Sequence, residues 1–544
     1  MVNWSDQFTV EGYKSITSMS NHLPRIILFS LVFLAVILGP GETRASRTFP
    51  NIVIVMLDDL GFSDIGYLGS EIRTPGIDEV AASGLTVTNF YVHSRCSPTR
   101  AALLTGRAPH QVGMGFLPTP ANAEVNPGPY QGYLDPDAVT LAERLKQYGY
   151  RTYLSGKWHL GEHKKHWPHQ RGFDRYFGLI SGASSYYELI ENQPFRRKMA
   201  DGDRPWTPPA EGFYMTTSTT DKAIEYVSDH IREHRTSPFL LYLSYTAPHW
   251  PLHAPEAMVK SYKGVYDAGP TAIYQQRIRN LSKLGLATAN FKAPEMQTDE
   301  NPAHWSDRMA VYAAQVTIAD QGIHALTRLL KRKGVFANTL LIILSDNGAS
   351  AEDVSQRKLH QEGTRPGERG SYLAYGSDWA TVSNAPFRGH KGTTWEGAIR
   401  SPLILSWPAE LEADGRIDSQ SILSIDDIAP TLLTLIGDSP PAEMTGESFD
   451  LFMNGKMFVR QRPVFREHLG WRAVRHENWK AVAAPGSPWS LFDLETDLAE
   501  TQDLSDQQKD VLESLTTGWQ LWSDRTGTAG FDAETFRQYF RPAQ

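Results

Sequence analysis

The sequence has one cysteine, Cys96, among 544 residues. No disulfide can form within the chain, so this thiol is either an inert buried group or one reserved for chemistry. The apolar run at 26–38 is shorter than the ~20 residues that a spanning helix needs. No long basic run is present and the net charge is -8, which excludes nucleic acid as an expected partner.

The first 45 residues have the pattern of a secretory signal peptide. Arg25 precedes the apolar run, and Thr43 and Ala45 supply small residues at positions -3 and -1 of a cleavage site. Translation from Met19 gives a basic segment of more usual length than translation from Met1. We therefore expect a periplasmic or secreted protein with no stable membrane partner, and an uncleaved anchor is the alternative. An exported chain without disulfides fits a bacterial periplasm.

The pattern of the remaining chain predicts an α/β fold. Apolar, β-branched runs alternate with helical periodicities over residues 46–442, which predicts a catalytic domain whose sheet has helices on both faces. Hairpin patterns replace this alternation from about 443, so residues 443–544 are predicted to form a small α+β subdomain. Residues 181–215 are predicted to be a loop that could wall a substrate pocket, and residues 263–302, which show no clear pattern, are interpreted as an insertion.

Acidic and amide side chains follow two of the predicted buried strands. Asp58 and Asp59 end the first strand, and Asp346 and Asn347 end a later one. Adjacent carboxylates at the carboxyl end of a strand repel one another and need a cation, and oxygen ligands suit Ca²⁺ or Mg²⁺. The two segments together predict one divalent-metal site.

The stretch around Cys96 predicts a nucleophile at the beginning of a helix. Pro98 is a favourable residue for a first helical turn, and Arg100 returns to the face of Cys96 four residues later. The amide groups and the dipole of a helix N-terminus favour negative charge. This combination suits attack on a sulfate or phosphate ester.

Further basic and titratable side chains follow other strands. Lys157 and His159 alternate, so both are expected on one face of an extended segment. His249 and His253 are both candidates for a leaving-group acid, and the residues alone do not separate them. Lys391, in a Gly-rich segment, is a candidate anion clamp.

Six motifs are similar to those of the formylglycine-dependent sulfatases and follow one another along the chain as they do in that family. The resemblance is to the bacterial arylsulfatase type, within the alkaline-phosphatase-like superfamily. The most specific is C-x-P-x-R followed by A-x-L-L-T-G-R at 96–107. The others are D-D-x-G-x-x-D, G-K-W-H-L-G, A-P-H, S-D-N-G and the lysine segment before Glu396. The resemblance covers nearly all of 50–505 and departs where Ala398 replaces the second glycine of E-G-G.

The resemblance implies a fold and a cofactor set. The fold is a large, mixed, mostly parallel sheet sandwiched by helices. A maturase would oxidise Cys96 to formylglycine, whose hydrate is the nucleophile in that family. One Ca²⁺ per chain would be held by Asp58, Asp59, Cys96, Asp346 and Asn347.

The resemblance also implies roles for the basic residues. Arg100, Lys157 and Lys391 would supply fixed positive charge, His249 would protonate the departing oxygen, and His159 would help release sulfate from the nucleophile. The reaction is then hydrolysis of sulfate monoesters, small-molecule or glycan, with aryl sulfates favoured.

Several alternatives stay open at this point. The same scaffold could serve a phosphonate or phosphate diester hydrolase, or a carbohydrate sulfatase. A binding protein with an unmodified Cys96 would not need both His159 and His249. A thiol hydrolase lacks a convincing Cys–His–Asp/Asn order. The natural ester, the oligomeric state and the choice between Ca²⁺ and Mg²⁺ are not readable from the sequence.

Overall fold

The apolar strand that begins at Asn51 lies in the middle of a large sheet in the computed structural model of the protein. The structure describes residues 49–528 except 119–127, 191–195, 288–295, 297–301, 413, 454 and 457. The predicted signal peptide at 1–45, with its two candidate starts, lies outside these residues. Among the described residues, no helix is long and apolar enough to cross a membrane.

The strands are numbered in chain order. They are β1 (Asn51–Asp58), β2 (Leu85–Tyr91), β3 (Arg151–Gly156), β4 (Arg175–Leu179), β5 (Met199–Asp201), β6 (Arg204–Trp206), β7 (Phe239–Pro248), β8 (Thr339–Ser345), β9 (Arg400–Ser406), β10 (Arg416–Asp418), β11 (Leu423–Ser424), β12 (Val464–His468), β13 (Trp471–His476), β14 (Trp479–Ala483) and β15 (Ser490–Asp493).

The α-helices are numbered in the same way. They are α1 (Pro75–Ala82), α2 (Cys96–Thr105), α3 (Leu141–Lys146), α4 (Met215–Glu233), α5 (Glu256–Lys260), α6 (Gly269–Lys283), α7 (Pro302–Arg332), α8 (Ser377–Ser383), α9 (Glu396–Ile399), α10 (Ile428–Leu435), α11 (Asp450–Met453) and α12 (Lys509–Thr526).

The large sheet has the order β10-β2-β9-β8-β1-β7-β3-β4-β5-β6, with β11 also paired to β2. Strands β8, β1, β7, β3 and β4 run parallel to one another. Strand β9 is antiparallel to both of its neighbours, and β5 and β6 form an antiparallel edge. The sheet is therefore mixed and mostly parallel, which confirms the expected fold class.

Both faces of the sheet are buried because alternate side chains of the central strands enter different cores. Val53 and Val55 pack with α1, α4 and α7 on one face. Ile52 and Ile54 pack with α2, α3 and α10 on the other. A strand covered on both sides has no polar face, which explains why its sequence is an unbroken β-branched run.

The small antiparallel sheet β12-β13-β14-β15 is separate from the large one, and α12 packs on it through Trp519 and Trp522. A buried ionic cluster joins this sheet to α9. Lys480 Nζ lies 2.9 Å from Glu396 Oε1 and 2.7 Å from Glu500 Oε1. The described residues between Phe49 and Thr528 fold as one compact unit.

Two local expectations were wrong, and a segment without a clear sequence pattern is partly helical. The segment at 263–302 contains the helix α6, whose apolar face covers Leu68 and Phe62 through Leu281. The segment at 181–215 contains the short hairpin of β5 and β6. His159 has a φ of 58°, so the chain is not extended there. Each case depends on tertiary packing that a short periodicity does not record.

Candidate active site

The carboxyl ends of four parallel strands meet at one edge of the large sheet. Leu57 of β1 is opposite Ser345 of β8, so Asp58 and Asp346 follow at neighbouring positions. Gly156 of β3 is opposite Ser244 of β7, which places Lys157 beside the segment that leads to His249. The register of the sheet therefore assembles residues that are up to 288 positions apart in the sequence.

Cys96 lies at this edge as the first residue of α2. Its thiol is buried and donates to Asp58 Oδ1, with Sγ 3.4 Å from the carboxylate oxygen. Burial and the carboxylates of Asp346 and Asp58 raise the pKa of the thiol to about 12. The unmodified cysteine is therefore a protonated thiol, which is a poor nucleophile.

Arg100 and Lys157 neutralise two of the buried carboxylates. Arg100 donates from Nε and Nη2 to Asp346 Oδ2, at 3.1 and 2.7 Å. Lys157 Nζ donates to Asp58 Oδ2 at 2.5 Å, and Arg100 Nη2 lies 3.7 Å from the same oxygen. Burial and the nearby Asp346 raise the pKa of Asp58 to about 7, against the opposing effect of both cations.

Asp59 forms the other half of the cluster. Its φ of 65° turns its carboxylate towards Lys391, whose Nζ lies 2.7 and 2.9 Å from the two oxygens. Asn347 Nδ2 donates to Asp59 Oδ1 at 2.7 Å, and the Asp59 amide donates to Asp346 Oδ1 at 3.2 Å. His249 Nε2 lies 3.5 Å from Asp59 Oδ2.

The residues at this edge fit a hard divalent cation. Ligand atoms of Asp58, Asp59, Cys96 and His249 all lie within 4.8 Å of one another. Asn347 Oδ1 is buried and accepts no hydrogen bond from the described residues, although such an oxygen normally has a partner. Carboxylate and amide oxygens are ligands that Ca²⁺ or Mg²⁺ prefers. The charge balance also fits a cation. The three carboxylates and the three basic side chains cancel one another, so a bound cation would give the site the net positive charge that a sulfate ester needs.

His159 lies on the Arg100 side of the cluster. Its Nδ1 is buried without a hydrogen-bond partner among the described residues, and its main chain is fixed by Ser97 Oγ, 2.7 Å from the His159 carbonyl. Gly182 faces the ring so closely that a Cβ there would be 2.4 Å from Nε2. Burial and the positive charges of Lys157 and Arg100 lower the pKa of His159 well below its usual value.

His249 and His253 differ in their surroundings. The His249 ring has Nδ1 2.6 Å from the Trp250 carbonyl and Nε2 facing Asp59. Both nitrogens of His253 are used elsewhere, since Nδ1 accepts from the Tyr186 amide at 3.2 Å and Nε2 lies 2.6 Å from the Ser371 carbonyl. Only His249 is therefore oriented towards the carboxylates.

Sequence reasoning missed Glu352, which links the two sides of the site. Its Oε1 accepts from Arg95, which precedes Cys96, at 2.5 Å, and its Oε2 accepts from the indole of Trp250, which follows His249, at 2.8 Å. Although burial raises it, Lys391 and Arg95 hold the pKa of Glu352 well below its usual range. No motif marks Glu352, but the residue lies five positions after Asn347 in the same loop.

Replacing Glu352 by glutamine is expected to lower kcat/KM about tenfold. The amide keeps a hydrogen bond to Trp250 but loses the charge that holds Arg95, so both neighbours of the reacting residues become less ordered. The adjacent Asp353→Asn is the matched control, because Asp353 is exposed and its side chain accepts hydrogen bonds from Ser355 rather than from a residue of the site. Equal rates for the two variants would contradict the role assigned to Glu352.

The sequence and structure match known sulfatases. The Sulfatase family model matches residues 50–438, and the model described as N-sulphoglucosamine sulphohydrolase, C-terminal, matches residues 390–520. An uncharacterized sulfatase of Schizosaccharomyces pombe is 32% identical, covering 89% of this chain and 95% of its own. The arylsulfatase of Klebsiella aerogenes is 32% identical, covering 75% and 91%.

Among solved structures, Ps i-CgsB in complex with k-i-k-neocarrahexaose is similar to this fold. It has a TM-score of 0.69 and 26% sequence identity, and the match covers 91% of this chain and 98% of that one. The likeness extends over both the large sheet and the C-terminal region.

Proposed function

This chain belongs to the sulfatase family, and on that premise we propose that it hydrolyses sulfate monoesters through a formylglycine at position 96 beside one bound Ca²⁺. The observation that carries the proposal is the position of Cys96 Sγ, 3.4 Å from Asp58, at the beginning of a helix and next to three buried carboxylates with three basic partners. Formylglycine supplies a hydroxyl nucleophile, and the cation supplies positive charge for the sulfate oxygens.

The side chains divide into those that hold the cation and those that hold the ester. Oxygens of Asp58, Asp59 and Asp346 and the free Oδ1 of Asn347 would ligate the ion. Lys157 and Lys391 then face the sulfate from two sides, since each lies against a different carboxylate. These six groups would fix the sulfur relative to residue 96 and exclude water from its other faces.

Arg100 and His159 act on the side of residue 96. Arg100 is fully paired with Asp346 and Asp58, so it fixes their orientation and holds positive charge next to the nucleophile. His159 has a buried ring nitrogen without a partner in the described structure, and its lowered pKa keeps the ring neutral, so we propose that this nitrogen accepts a proton beside residue 96.

His249 is the proposed proton donor to the departing oxygen. Burial and the charges of Lys391 and Lys157 lower the pKa of His249 well below its usual value. A sulfate ester between the two lysines brings negative charge that offsets both, so the ring gains proton affinity when substrate binds. The proton can then pass from Nε2 to the ester oxygen.

The variant His249→Gln is expected to discriminate between leaving groups. Its kcat on an alkyl or sugar sulfate should fall by about 10²–10⁴, because the alkoxide needs a proton as the bond breaks. Its kcat on 4-nitrophenyl sulfate should fall far less, since nitrophenolate leaves without one. His253→Gln is the control and should show no dependence on the leaving group. A uniform loss in His249→Gln would contradict its role as the acid.

Aryl sulfates are the esters we propose first, and sugar sulfates second. The name of the Klebsiella relative supports the former, and the oligosaccharide bound to Ps i-CgsB supports the latter. Release of sulfate from 4-nitrophenyl sulfate, compared with hydrolysis of bis(4-nitrophenyl) phosphate, tests the reaction class. A higher kcat/KM for the diester would instead favour a phosphodiester hydrolase on the same scaffold.

A further inference from the structure

Two arginines and two aromatic rings lie next to the catalytic cluster and have no part in the proposed chemistry. We call Arg197, Trp250, Arg357 and Tyr372 the arginine patch. The Trp250 ring centroid is 4.3 Å from that of His249, and the Tyr372 centroid is 6.0 Å from Trp250. The guanidinium carbon of Arg357 lies 4.4 Å from the Trp250 centroid. The patch therefore continues the surface of the site outward from the proposed leaving-group acid.

Arg197 lacks a partner in the part of the chain that the structure describes. Its side chain forms no hydrogen bond or ion pair there, and its Nε is buried and unsatisfied. Burial lowers the pKa of Arg197, and Arg357 adds to this effect, whereas Tyr372 and Glu162 oppose it. Glu162 does not form an ion pair with Arg197 and instead lies 3.5 Å from Lys198 Nζ. A guanidinium stays charged in proteins, so a partly buried one without a counter-ion carries a desolvation cost. An anion that binds there would remove that cost.

The backbone next to Arg197 is tied to the catalytic segment. The Arg197 amide donates to the Ile190 carbonyl at 2.7 Å, and the Ile180 amide donates to Lys198 at 2.8 Å. The His159 amide donates in turn to the Ile180 carbonyl at 3.0 Å. Arg197 thus lies just before β5, in a segment that these backbone hydrogen bonds tie to the site.

The carboxylate of Glu352 does not neutralise the patch. It accepts from the indole of Trp250, but its other oxygen pairs with Arg95 at 2.5 Å. Arg95 and Glu352 therefore cancel each other. Arg197 therefore keeps a positive charge without an ion-pair partner among the described residues, and the aromatic rings lie next to it, which suits a flat or ring-shaped ligand that bears an anionic group.

We infer that the arginine patch binds a second anionic group of the substrate, a carboxylate or a further sulfate, on the part of the ester that departs after cleavage. The inference rests on the proposed sulfatase function, because that function makes His249 the leaving-group acid and so sets the direction in which the leaving group extends. The natural ester is then a sulfated compound with at least one more negative charge, and the patch determines specificity without contacting the sulfur.

Matched substrate pairs that differ by one anionic group test this inference. The first pair is 4-carboxyphenyl sulfate and its methyl ester, and the second is a disulfated and a monosulfated hexosamine. The third is a sulfated disaccharide that contains a uronate and the same disaccharide after reduction of the carboxyl group. The wild-type enzyme is expected to prefer the more anionic member of at least one pair by about tenfold in kcat/KM, mainly through KM. The preferred pair distinguishes a carboxylate from a sulfate.

The variant Arg197→Gln is expected to abolish that preference and to change the rate on the less anionic member by less than about threefold. Arg196→Gln is the matched control, since it removes the same charge from the exposed neighbouring residue and should keep the preference. The inference is overturned if wild type shows no preference in any pair, or if Arg197→Gln retains it. Absence of sulfate release from every substrate would instead refute the proposed function.

Discussion

Replacing Cys96 by alanine is expected to lower kcat/KM for any sulfate ester by at least about ten thousandfold. The substitution removes the atom from which formylglycine is made, and no other described side chain at this edge of the sheet can replace it as a nucleophile. Removing one buried sulfur atom costs about 1 kcal/mol of folding stability, so the variant should remain folded. Rates on 4-nitrophenyl sulfate and a thermal melt measure both effects.

The peptide that contains residue 96 supplies the matching chemical control. Oxidation of a cysteine to formylglycine replaces the SH group and a hydrogen by a carbonyl oxygen, which lowers the mass by about 18 Da. The fraction of wild-type peptide with that mass should equal the fraction of active enzyme. Activity in fully unmodified protein would contradict the mechanism, and activity in the alanine variant would exclude residue 96 as the nucleophile.

The sequence was sufficient to predict which residues meet at the edge of the sheet, because each follows an easily recognised buried strand. Asp58, Lys157, His249 and Asp346 come after runs of apolar, mostly branched or aromatic residues, and parallel strands place their carboxyl ends together. The fold class depends on the same runs. A residue that directly follows a buried parallel strand in the sequence therefore lies at the carboxyl edge of the sheet.

Other features of the site could not be predicted, because they depend on loops that meet only in the folded protein. Glu352 contacts Arg95, 257 residues earlier, and Trp250, 102 residues earlier, without any periodic pattern. Arg197 is noticeable only because the fold leaves it without a partner among the described residues. A sequence shows which side chains are charged, but an unpaired charge is a property of the tertiary structure.

The choice between His249 and His253 shows the same limit on a smaller scale. The two rings are four residues apart and chemically identical in the sequence. The difference arises because the Tyr186 amide and the Ser371 carbonyl occupy both nitrogens of His253. Those partners come from residues 67 and 118 positions away, which no local pattern records.

Removal of divalent metal is expected to abolish activity reversibly. The three carboxylates and the unpaired Asn347 oxygen are arranged for an ion, and without it the sulfate faces a cluster in which acidic and basic charges cancel. Dialysis against a chelator should reduce the rate by at least about a thousandfold, and added Ca²⁺ should restore it. Titration with Ca²⁺ and Mg²⁺ separately identifies the ion that restores the rate at the lower concentration.

The variant Asn347→Ala shows whether the loss is due to this site. It removes one neutral ligand and leaves every carboxylate–cation pair intact, so the Ca²⁺ concentration for half-maximal activity should rise about 10–100-fold. Asn384→Ala is a poor control because its side chain fixes Ala349, whereas Asn478→Ala removes an amide from the distant hairpin turn and should leave the titration unchanged. Full activity of metal-free wild-type protein would contradict the site, since the buried Asn347 oxygen would then lack any role in catalysis.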